Sequence, residues 1–370
     1  MLYLNELTLS HFRSHKFSRL HLDGRPVAIY GANGSGKTNI LEAVSLFSPG
    51  RGMRRASASD MTRRPEALGW KITGTLTRGH RSYAIDIKSE NGAARRVDLD
   101  EKPIAQTALA ALSQVIWLVP NMDRLWTEGA ENRRRFLDRM ALSFDASHAE
   151  ASLAYEKAMR ERNRLLKDQV RDPHWYRALE RQMAQSGCQI HAARLHTLAQ
   201  ITAAQNNADT AFPAADLALD QGQGDMPDTI DDFITALADS RGQDLAAGRT
   251  LIGPHRSDML GRYAAKDIDA KDCSTGEQKA LLVSMILANA RALAHQTQTP
   301  PMILLDEVSA HLDAGRRADL YDEICALGAQ AWLTGTGPEL FHELGSRAQY
   351  ISVSDQGGIS EITQHEAAAQ

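Results

Sequence analysis

The octet GANGSGKT, Gly31–Thr38, sets three glycines, a lysine and a hydroxyl in the order Gly-x-x-x-x-Gly-Lys-Thr, directly after the apolar run Val27–Tyr30. Glycines at 31, 34 and 36 let the backbone curl so that the N–H groups of the loop, Ala32, Asn33 and Ser35 included, converge on an anion. A helical pattern opening at Lys37 and running through Ile40, Leu41, Val44 and Leu46 brings its N-terminal N–H groups to the same point. Lys37 is placed for β- and γ-phosphates, and the Thr38 hydroxyl for a Mg²⁺ ion. The spacing predicts a nucleoside triphosphate site, for ATP or GTP. A glycine-rich turn with an incidental Lys-Thr is the plainer alternative, and the strand and helix on either side weigh against it.

Two acids supply the complementary chemistry. Asp306 and Glu307 close the short apolar run Met302–Leu305, which follows Pro300-Pro301. Such a run reads as a buried parallel strand with carboxylates at its C-terminal edge, where ligands sit in open α/β sheets. Asp306 can then enter a Mg²⁺ shell, and Glu307 can orient or deprotonate water. Acids at a strand end are also ordinary surface residues; the phosphate loop gives this pair its meaning. Ser274 opens a third motif, STGEQK (Ser274–Lys279), ahead of the helical stretch Ala280–Ala294. With Ser274 or Thr275 as the cap, the free N–H groups over Gly276, Glu277 and Gln278 make another anion site. One chain has no use for two γ-phosphate cradles, so the economical reading is that this helix end completes the site of a second copy.

The chain that must position these residues has 370 of them, 43% hydrophobic and 24% charged, which fits two ordinary domains and excludes wholesale disorder. No apolar run approaches the ~18 residues of a membrane span. His11 and Arg13 interrupt MLYLNELTLSHFRSHKF, which predicts a chain that is not secreted. Cys188, Cys273 and Cys325 form no CxxC pair, which excludes a zinc ribbon or disulfide framework and fits a reducing cytoplasm. Net charge is −4, against a simple nucleic-acid coat, yet residues 1–64 hold ten Lys/Arg and four acids while residues 205–240 hold eight Asp and no Lys or Arg. The basic end can face a polyanion, or the two surfaces can attract each other within the fold.

Residues 1–118 alternate like strands around the single helix at Lys37. Residues 122–205 read as helices. One runs from Ser152 to Val170 with Leu153, Ala158, Leu165 and Leu166 as apolar positions, and a second from about Ala178 to Asn206. Together they predict an antiparallel hairpin ~30–40 Å long. Residues 212–228 read as a loop, and the last third returns to strands and helices. The expected architecture is α/β: a mixed-sheet lobe I of residues 1–118 plus about 296–370, and a mainly α-helical lobe II of residues 119–295 carrying STGEQK and the hairpin.

GANGSGKT, STGEQK, ILLDE (Ile303–Glu307) and SAHLD (Ser309–Asp313) resemble the Walker A, signature, Walker B and D-loop of the ATP-binding-cassette superfamily. LTLSHFRSHKF, SPGRGMRR, VIWLVPNMDRL, GAENRRRFLDRM, LIGPHRSDM and CSTGEQKALL further resemble the RecF family of bacterial recombination-mediator ATPases, in order, from about Leu2 to Leu333. RRRFLD (Arg133–Asp138) and GPHR-x-D (Gly253–Asp258) are particular to that family. The resemblance implies a P-loop head of the ABC/SMC type without long coiled-coil arms, with ATP and Mg²⁺ as cofactors. It implies an ATP-dependent homodimer in which each ATP lies between one Walker A and the other signature. It implies binding of single-stranded and gapped DNA at strand junctions, and slow, weakly DNA-stimulated ATP hydrolysis that resets the clamp. RecR and RecO as mediator partners, RecA loading, SOS induction, a cytoplasmic location and no membrane partner follow from the same likeness. It also sets Arg13 against the base or a phosphate, where surface charge explains it equally well, and Thr334 or Thr336 at the γ-phosphate sensor position. Two departures stand out: VPNMD after Val115–Val119 offers Asn121 or a water in place of the cassette glutamine, and no His follows Ala331–Leu333.

Several cations are candidates for DNA. Arg51, Arg54 and Arg55 follow the Pro49-Gly50 loop, with Arg63 and Arg64 nearby, so a mobile arginine loop can neutralise phosphates; solvated loop charge is the alternative. Lys157, Arg160, Arg164, Lys167 and Arg171 share one helix face, but Glu156, Glu161 and Asp168 interleave, leaving a salt-bridged solvent face equally open. Of Arg133, Arg134 and Arg135, one or two are expected to anchor their helix, and His255 and Arg256 to join the lobes, with a phosphate contact as the alternative. Two other function classes remain: a transporter ATPase subunit, with rapid turnover and a membrane partner, and a monomeric small-molecule kinase, which leaves STGEQK unused.

Overall fold

VAIY, VIWL, MILL and AWLTG are near-continuous apolar runs because each strand is buried on both faces of one sheet. In the computed structural model, which describes residues 1–90, 92–222 and 226–365, the chain starts with β1 (Leu2–Phe12), β2 (His15–His21), β3 (Val27–Tyr30) and α1 (Lys37–Ser45). It continues with β4 (Trp70–Arg78), β5 (Arg81–Ser89), β6 (Arg96–Leu99), β7 (Lys102–Ile104), α2 (Leu109–Leu112) and β8 (Val115–Leu118). Then come α3 (Ala130–Phe144), α4 (Ser147–Lys167), α5 (His174–Asn206), β9 (Ala215–Asp220), α6 (Ile230–Asp239), α7 (Arg241–Ala247), β10 (Asp258–Tyr263) and β11 (Ile268–Asp269). The last part is α8 (Thr275–Thr297), β12 (Met302–Leu305), α9 (Ala314–Leu327), β13 (Ala331–Gly335), β14 (Gln349–Asp355) and β15 (Ser360–His365).

Two compact units result: Met1–Asp123 with Asn207–Pro213 and Lys279–Gln370, and Arg124–Asn206 with Ala214–Gln278. The division at 278/279 gives most of α8 to the first unit, whereas the sequence suggested a boundary near 295. The cause is composition: Ala280 through Ala290 are buried without a break, so this helix is apolar on every side and belongs to a core. No helix among the described residues is long and apolar enough to cross a membrane.

The first unit holds two six-stranded sheets, ordered β2-β1-β4-β5-β6-β7 and β15-β14-β3-β13-β12-β8. The first is antiparallel. In β1 the buried leucines shift from Leu2 and Leu4 to Leu7 and Leu9 because a bulge between Leu4 and Glu6 breaks the alternation against β4. The second is parallel except for its edge strand β15. Its register aligns Thr334 with Ile29, Gly335 with Tyr30 and Leu305 with Leu333. The chain leaving β3, β12 and β13 therefore emerges at one C-terminal edge, where Gly31, Asp306 and Thr334 stand.

The second unit is built on the α4–α5 hairpin. At ~1.5 Å per residue its 21 and 33 residues span ~32 and ~50 Å. Both helices begin earlier than expected. Asp145 accepts hydrogen bonds from Ser147 N–H and Oγ, and Asp172 accepts one from His174 N–H beside Pro173, so acidic caps set both starts. Leu153, expected inside, is 64% exposed, and the buried positions are His148, Ala151, Tyr155, Ala158, Arg162 and Leu166. The expected loop 212–228 contains a strand: in β9, Leu217 and Leu219 are partly buried while the intervening residues face solvent, and β9 pairs antiparallel with β10. Residues 223–225 of that expected loop lie outside the described residues. This unit thus carries a three-stranded sheet, β11-β10-β9, besides its helices.

A buried charge network fastens the hairpin. The fully buried Arg162 lies 2.7 Å from the Asp244 carboxylate and 3.3 Å from that of Glu180, and it donates to the Leu237 carbonyl at 2.9 Å. Arg241 pairs with the other side of Glu180. RRRFLD and GPHR-x-D interlock within the same unit. Arg133 forms a bidentate pair with Asp258 at 2.7 Å, Arg134 donates to the Ser257 carbonyl, and Arg135 is exposed beside Glu131. Asp138 is held bidentately by Arg194, which also reaches the Pro254 carbonyl and Ser257 Oγ. His255 bridges Tyr155 Oη and the Thr250 carbonyl, and burial pushes its pKa down to about 4. The Gly-Pro turn therefore braces α3, α4 and α5 of one unit, in place of the lobe-joining role expected of it. Arg256 is exposed.

Candidate functional site

Between β3 and α1 the loop exposes Ala32, Asn33 and Gly34 and buries Ser35 and Gly36. Two glycines are required by space as well as by backbone angle. A Cβ on Gly31 (φ 153°) would lie 2.1 Å from the Val353 carbonyl oxygen, and one on Gly36 (φ 107°) would lie 2.2 Å from Ser360 Oγ. Lys37 turns back across the loop and donates to the carbonyls of Gly31 and Ala32 at 2.7 and 2.9 Å. Burial lowers its pKa, and the nearby carboxylates of Glu307 and Asp306 oppose that shift. Polar groups from distant segments hold the loop from behind: His15 contacts the Gly36 carbonyl at 3.2 Å, and Ser360 Oγ donates to the Ser35 carbonyl.

Asp306 Oδ1 accepts hydrogen bonds from Thr38 Oγ1 at 2.9 Å and Thr334 Oγ1 at 2.8 Å. Burial raises the Asp306 pKa, and the two hydroxyl bonds oppose the rise. Thr334 Oγ1 also accepts the Glu307 N–H at 2.8 Å, which fixes Glu307 in a left-handed conformation (φ 56°) uncommon for a residue with a side chain. Thr334 is fully buried with its hydroxyl engaged on both acids. The cofactor contact expected of it is thereby corrected: it positions Asp306 and Glu307. Thr336, the other sensor candidate, is exposed just past β13.

The donor set fits Mg²⁺. Thr38 Oγ1 and Asp306 Oδ1 are hard oxygen donors held side by side at the phosphate loop, the ligand type Mg²⁺ takes. No group of three or more His, Cys, Asp or Glu among the described residues forms a fuller cage. Few protein ligands and a site beside a phosphate cradle is the pattern Mg²⁺ favours.

Glu42 was missed by the sequence reading. It lies fully buried on α1, one turn after Thr38, and binds Arg13 bidentately at 2.7 and 2.9 Å. Arg13 also donates to the Asp60 carbonyl, so three of its five N–H groups are engaged, and its planar face and the other two remain. The only signal in the sequence was an acid set among Leu41, Ala43 and Val44. Arg54 reaches the same Glu42 at 3.4 Å and Asn39 Oδ1 at 3.0 Å. Arg51, Arg55 and Arg64 are exposed. Arg63 is not: it is 5% exposed and donates to the carbonyls of Ser14 and Gly358, which removes it from the phosphate-binding candidates.

At the start of α8, Ser274 and Glu277 form a reciprocal cap. Glu277 Oε2 accepts from Ser274 N–H at 2.8 Å and from Ser274 Oγ at 2.7 Å, and the Glu277 N–H donates to Ser274 Oγ at 3.4 Å. Gln278 is buried and donates to the Lys271 and Cys273 carbonyls, locking the preceding loop, while Ser274, Thr275 and Gly276 are exposed. A hydrogen bond from Lys266, then those from Ser274, pull the Glu277 pKa down to about 2. A depressed carboxyl pKa stabilises the fold above the unfolded value and loses that contribution only as pH falls through the folded one. Protection of the first α8 amides against hydrogen exchange, corrected for intrinsic rates, should therefore hold from pH 7 to about pH 5 and weaken progressively between about pH 5 and pH 2; loss above pH 5 would mean the cap is not formed.

In the strand-to-helix stretch after β8, Asn121 is exposed, while Asp123 pairs with Lys279 Nζ at 3.1 Å. On α4, Lys157, Arg160, Arg164 and Lys167 all face solvent, and Arg171 lies beyond the helix end. None of them pairs with Glu156, Glu161 or Asp168 through its side chain, so the salt-bridged face is not formed; Arg160 Nε donates only to the Glu156 carbonyl.

The family described as RecF/RecN/SMC N terminal domain matches residues 3–360. The protein named DNA replication and repair protein RecF in Allorhizobium ampelinum is 45% identical over 371 residues, covering 95% of this chain and 97% of its own length. The chain belongs to the RecF family. The namesake in Rhizobium rhizogenes is also 45% identical, covering 97% of this chain and 98% of its own. A solved structure described as the recombination mediator protein RecF with ATP in the RecFOR pathway superposes with a TM-score of 0.82 at 21% identity, covering 98% of each chain. The Smc head domain of Pyrococcus furiosus superposes at 0.58 with 16% identity, covering 99% of this chain and 96% of its own. The RecF-family chain thus has the mixed α/β fold of RecF and SMC heads.

Proposed function

We propose that the chain is a DNA-repair ATPase that binds ATP with Mg²⁺ at Gly31–Thr38 and, as an ATP-dependent homodimer, closes on gapped DNA. The observation that carries this reading is the convergence of the glycine loop, Lys37, Thr38 and Asp306–Glu307 at one sheet edge, with the Thr38 hydroxyl and the Asp306 carboxylate side by side. The loop amides and Lys37 hold the phosphates. Thr38 and Asp306 hold the metal, which supplies charge neutralisation on the phosphate oxygens. Glu307, set by Thr334, orients the attacking water and takes its proton. The Arg13 face is left for the base.

The capped start of α8, exposed at Ser274–Gly276, meets the γ-phosphate of the other copy in the dimer. Arg51, Arg54, Arg55 and Arg64, with Arg160, Arg164 and Lys167, contact DNA phosphates at single-strand/double-strand junctions. Hydrolysis is slow, weakly DNA-stimulated, and resets the clamp. Membership of the RecF family supports the remaining assignments: RecR and RecO as partners, promotion of RecA loading, SOS induction and a cytoplasmic location.

The reading is tested by gapped-duplex binding over a salt series, with ATP and Mg²⁺ and with neither. Affinity should rise with ATP and Mg²⁺. Arg54→Glu with Arg55→Glu should weaken binding and flatten the slope of log affinity against log salt by ~0.9 for each phosphate no longer neutralised. Nucleotide affinity is measured alongside, because Arg54 also touches Glu42. An unchanged slope would remove this loop from the DNA-binding surface.

A further inference from the structure

The tip of the α4–α5 hairpin carries a side chain that folding does not use. Trp175, the second residue of α5, is 64% exposed, whereas Trp70, Trp117, Trp126 and Trp332 are buried. Its support is rigid. The next residue, Tyr176, is buried with its ring against the guanidinium groups of Arg162 and Arg241, and its hydroxyl donates to the Val170 carbonyl at 2.7 Å. The Gln169 amide donates to the carbonyls of Leu166 and Leu245, so the turn over residues 168–173 is pinned on both sides. Tyr176 points inward and Trp175 is left outside.

The surroundings carry an excess of cations over the two acids of the same turn, Asp168 and Asp172. Arg164, Lys167, Arg171, Arg177 and Arg181 are exposed, and among the described residues none has a carboxylate in ion-pair reach. Asp172, the acid nearest in sequence, is engaged in capping α5 through the His174 N–H. At ~1.5 Å and ~100° per residue, Arg164, Lys167 and Arg171 lie in or within about 5 Å of the turn along the axis, whereas Arg177 and Arg181 lie about 160° and 120° around α5 from Trp175. An indole held in water beside like charges that repel one another is favourable only against a partner with both negative charge and free aromatic faces. Single-stranded nucleic acid has both: phosphates for the cations and unstacked bases for the indole. A duplex offers the phosphates alone. Tryptophan and arginine are enriched at protein interfaces too, and a protein seat is the reading that native single-strand affinity in Trp175→Ala would leave.

We propose that the hairpin tip is a single-strand contact, with Trp175 as the stacking platform for one unpaired base and Arg164, Lys167 and Arg171 meeting the flanking phosphates. The inference rests on the reading of the chain as DNA-binding and assigns the surface that meets the unpaired strand.

The full chain is titrated with oligothymidylate, with blunt duplex and with gapped duplex, following affinity and tryptophan fluorescence. Oligothymidylate should quench the exposed fraction of the fluorescence. Trp175→Ala should weaken single-strand binding on the order of tenfold and leave blunt-duplex binding unchanged. Trp175→Phe should lose the quench yet bind nearly as the native chain does. Native single-strand affinity in Trp175→Ala, or binding without a quench in the native chain, would overturn the proposal while the DNA reading stood. Equal loss of single-strand and duplex binding, not restored by Trp175→Phe, would overturn it in favour of a folding role. A native chain that binds none of the three DNAs would remove the DNA reading itself and this inference with it.

Discussion

Glu307→Gln is expected to slow ATP hydrolysis by about two to four orders of magnitude, the usual contribution of a positioned proton acceptor, with ATP affinity nearly unchanged. Gln keeps the volume and one oxygen acceptor but cannot take a proton. The backbone bond from residue 307 to Thr334 Oγ1 does not depend on the side chain, so the left-handed turn and the position of Asp306 should survive. Lys37 loses one of the two carboxylates that oppose the lowering of its pKa, and Asp306 remains to hold it charged. Steady-state phosphate release and equilibrium nucleotide binding separate the outcomes. Hydrolysis at the native rate would take Glu307 out of the chemistry, and loss of ATP binding would make it a ligand to the nucleotide or its metal.

The largest structural effect is expected at Arg162→Met. The native network balances Arg162 and Arg241 against Glu180 and Asp244, with Arg162, Glu180 and Asp244 buried. Removing Arg162 leaves two buried carboxylates facing one arginine, and an uncompensated buried charge costs about 3–5 kcal/mol. That is a large part of an ordinary domain's stability of about 5–15 kcal/mol. Arg164→Met, two residues on and exposed, should stay within about 0.5 kcal/mol. Denaturant unfolding of both variants checks the contrast. A loss below about 1 kcal/mol at Arg162 would mean that packing of Ala151, Tyr155, Ala158 and Leu166 holds the hairpin without the charges.

The chemistry of the first unit was legible because it is local. A glycine loop between an apolar strand and a helix has one common geometry, and acids ending MILL fall at a parallel sheet's C-terminal edge wherever the strand sits. What escaped depends on residues far apart in sequence. Glu42 pairs with Arg13, and Thr334 with Asp306; neither partnership leaves a periodicity. Arg63 reads as one more loop cation until the carbonyls of Ser14 and Gly358 claim it. Arg162 occupies a core position of α4 that an apolar count skips, which is why Leu153 was counted instead. β9 was hidden by the Pro, Gly and Asp around it, although Leu217 and Leu219 already alternate with polar or small neighbours. The start of α8 showed its Ser and its Glu, yet only the structure chooses Ser274 over Thr275 as the cap.

ATP-driven closure on gapped DNA is tested most directly by sedimentation mass. Glu307→Gln, which suppresses turnover, is measured with Mg²⁺ alone, with Mg²⁺ and ATP, and with Mg²⁺, ATP and a gapped duplex. A monomer that becomes a dimer only with ATP, and retains the gapped duplex best in that state, is the predicted result. A chain that stays monomeric with ATP bound and ignores the duplex would contradict both the dimer and the placement of Ser274–Gln278 against a second copy's nucleotide.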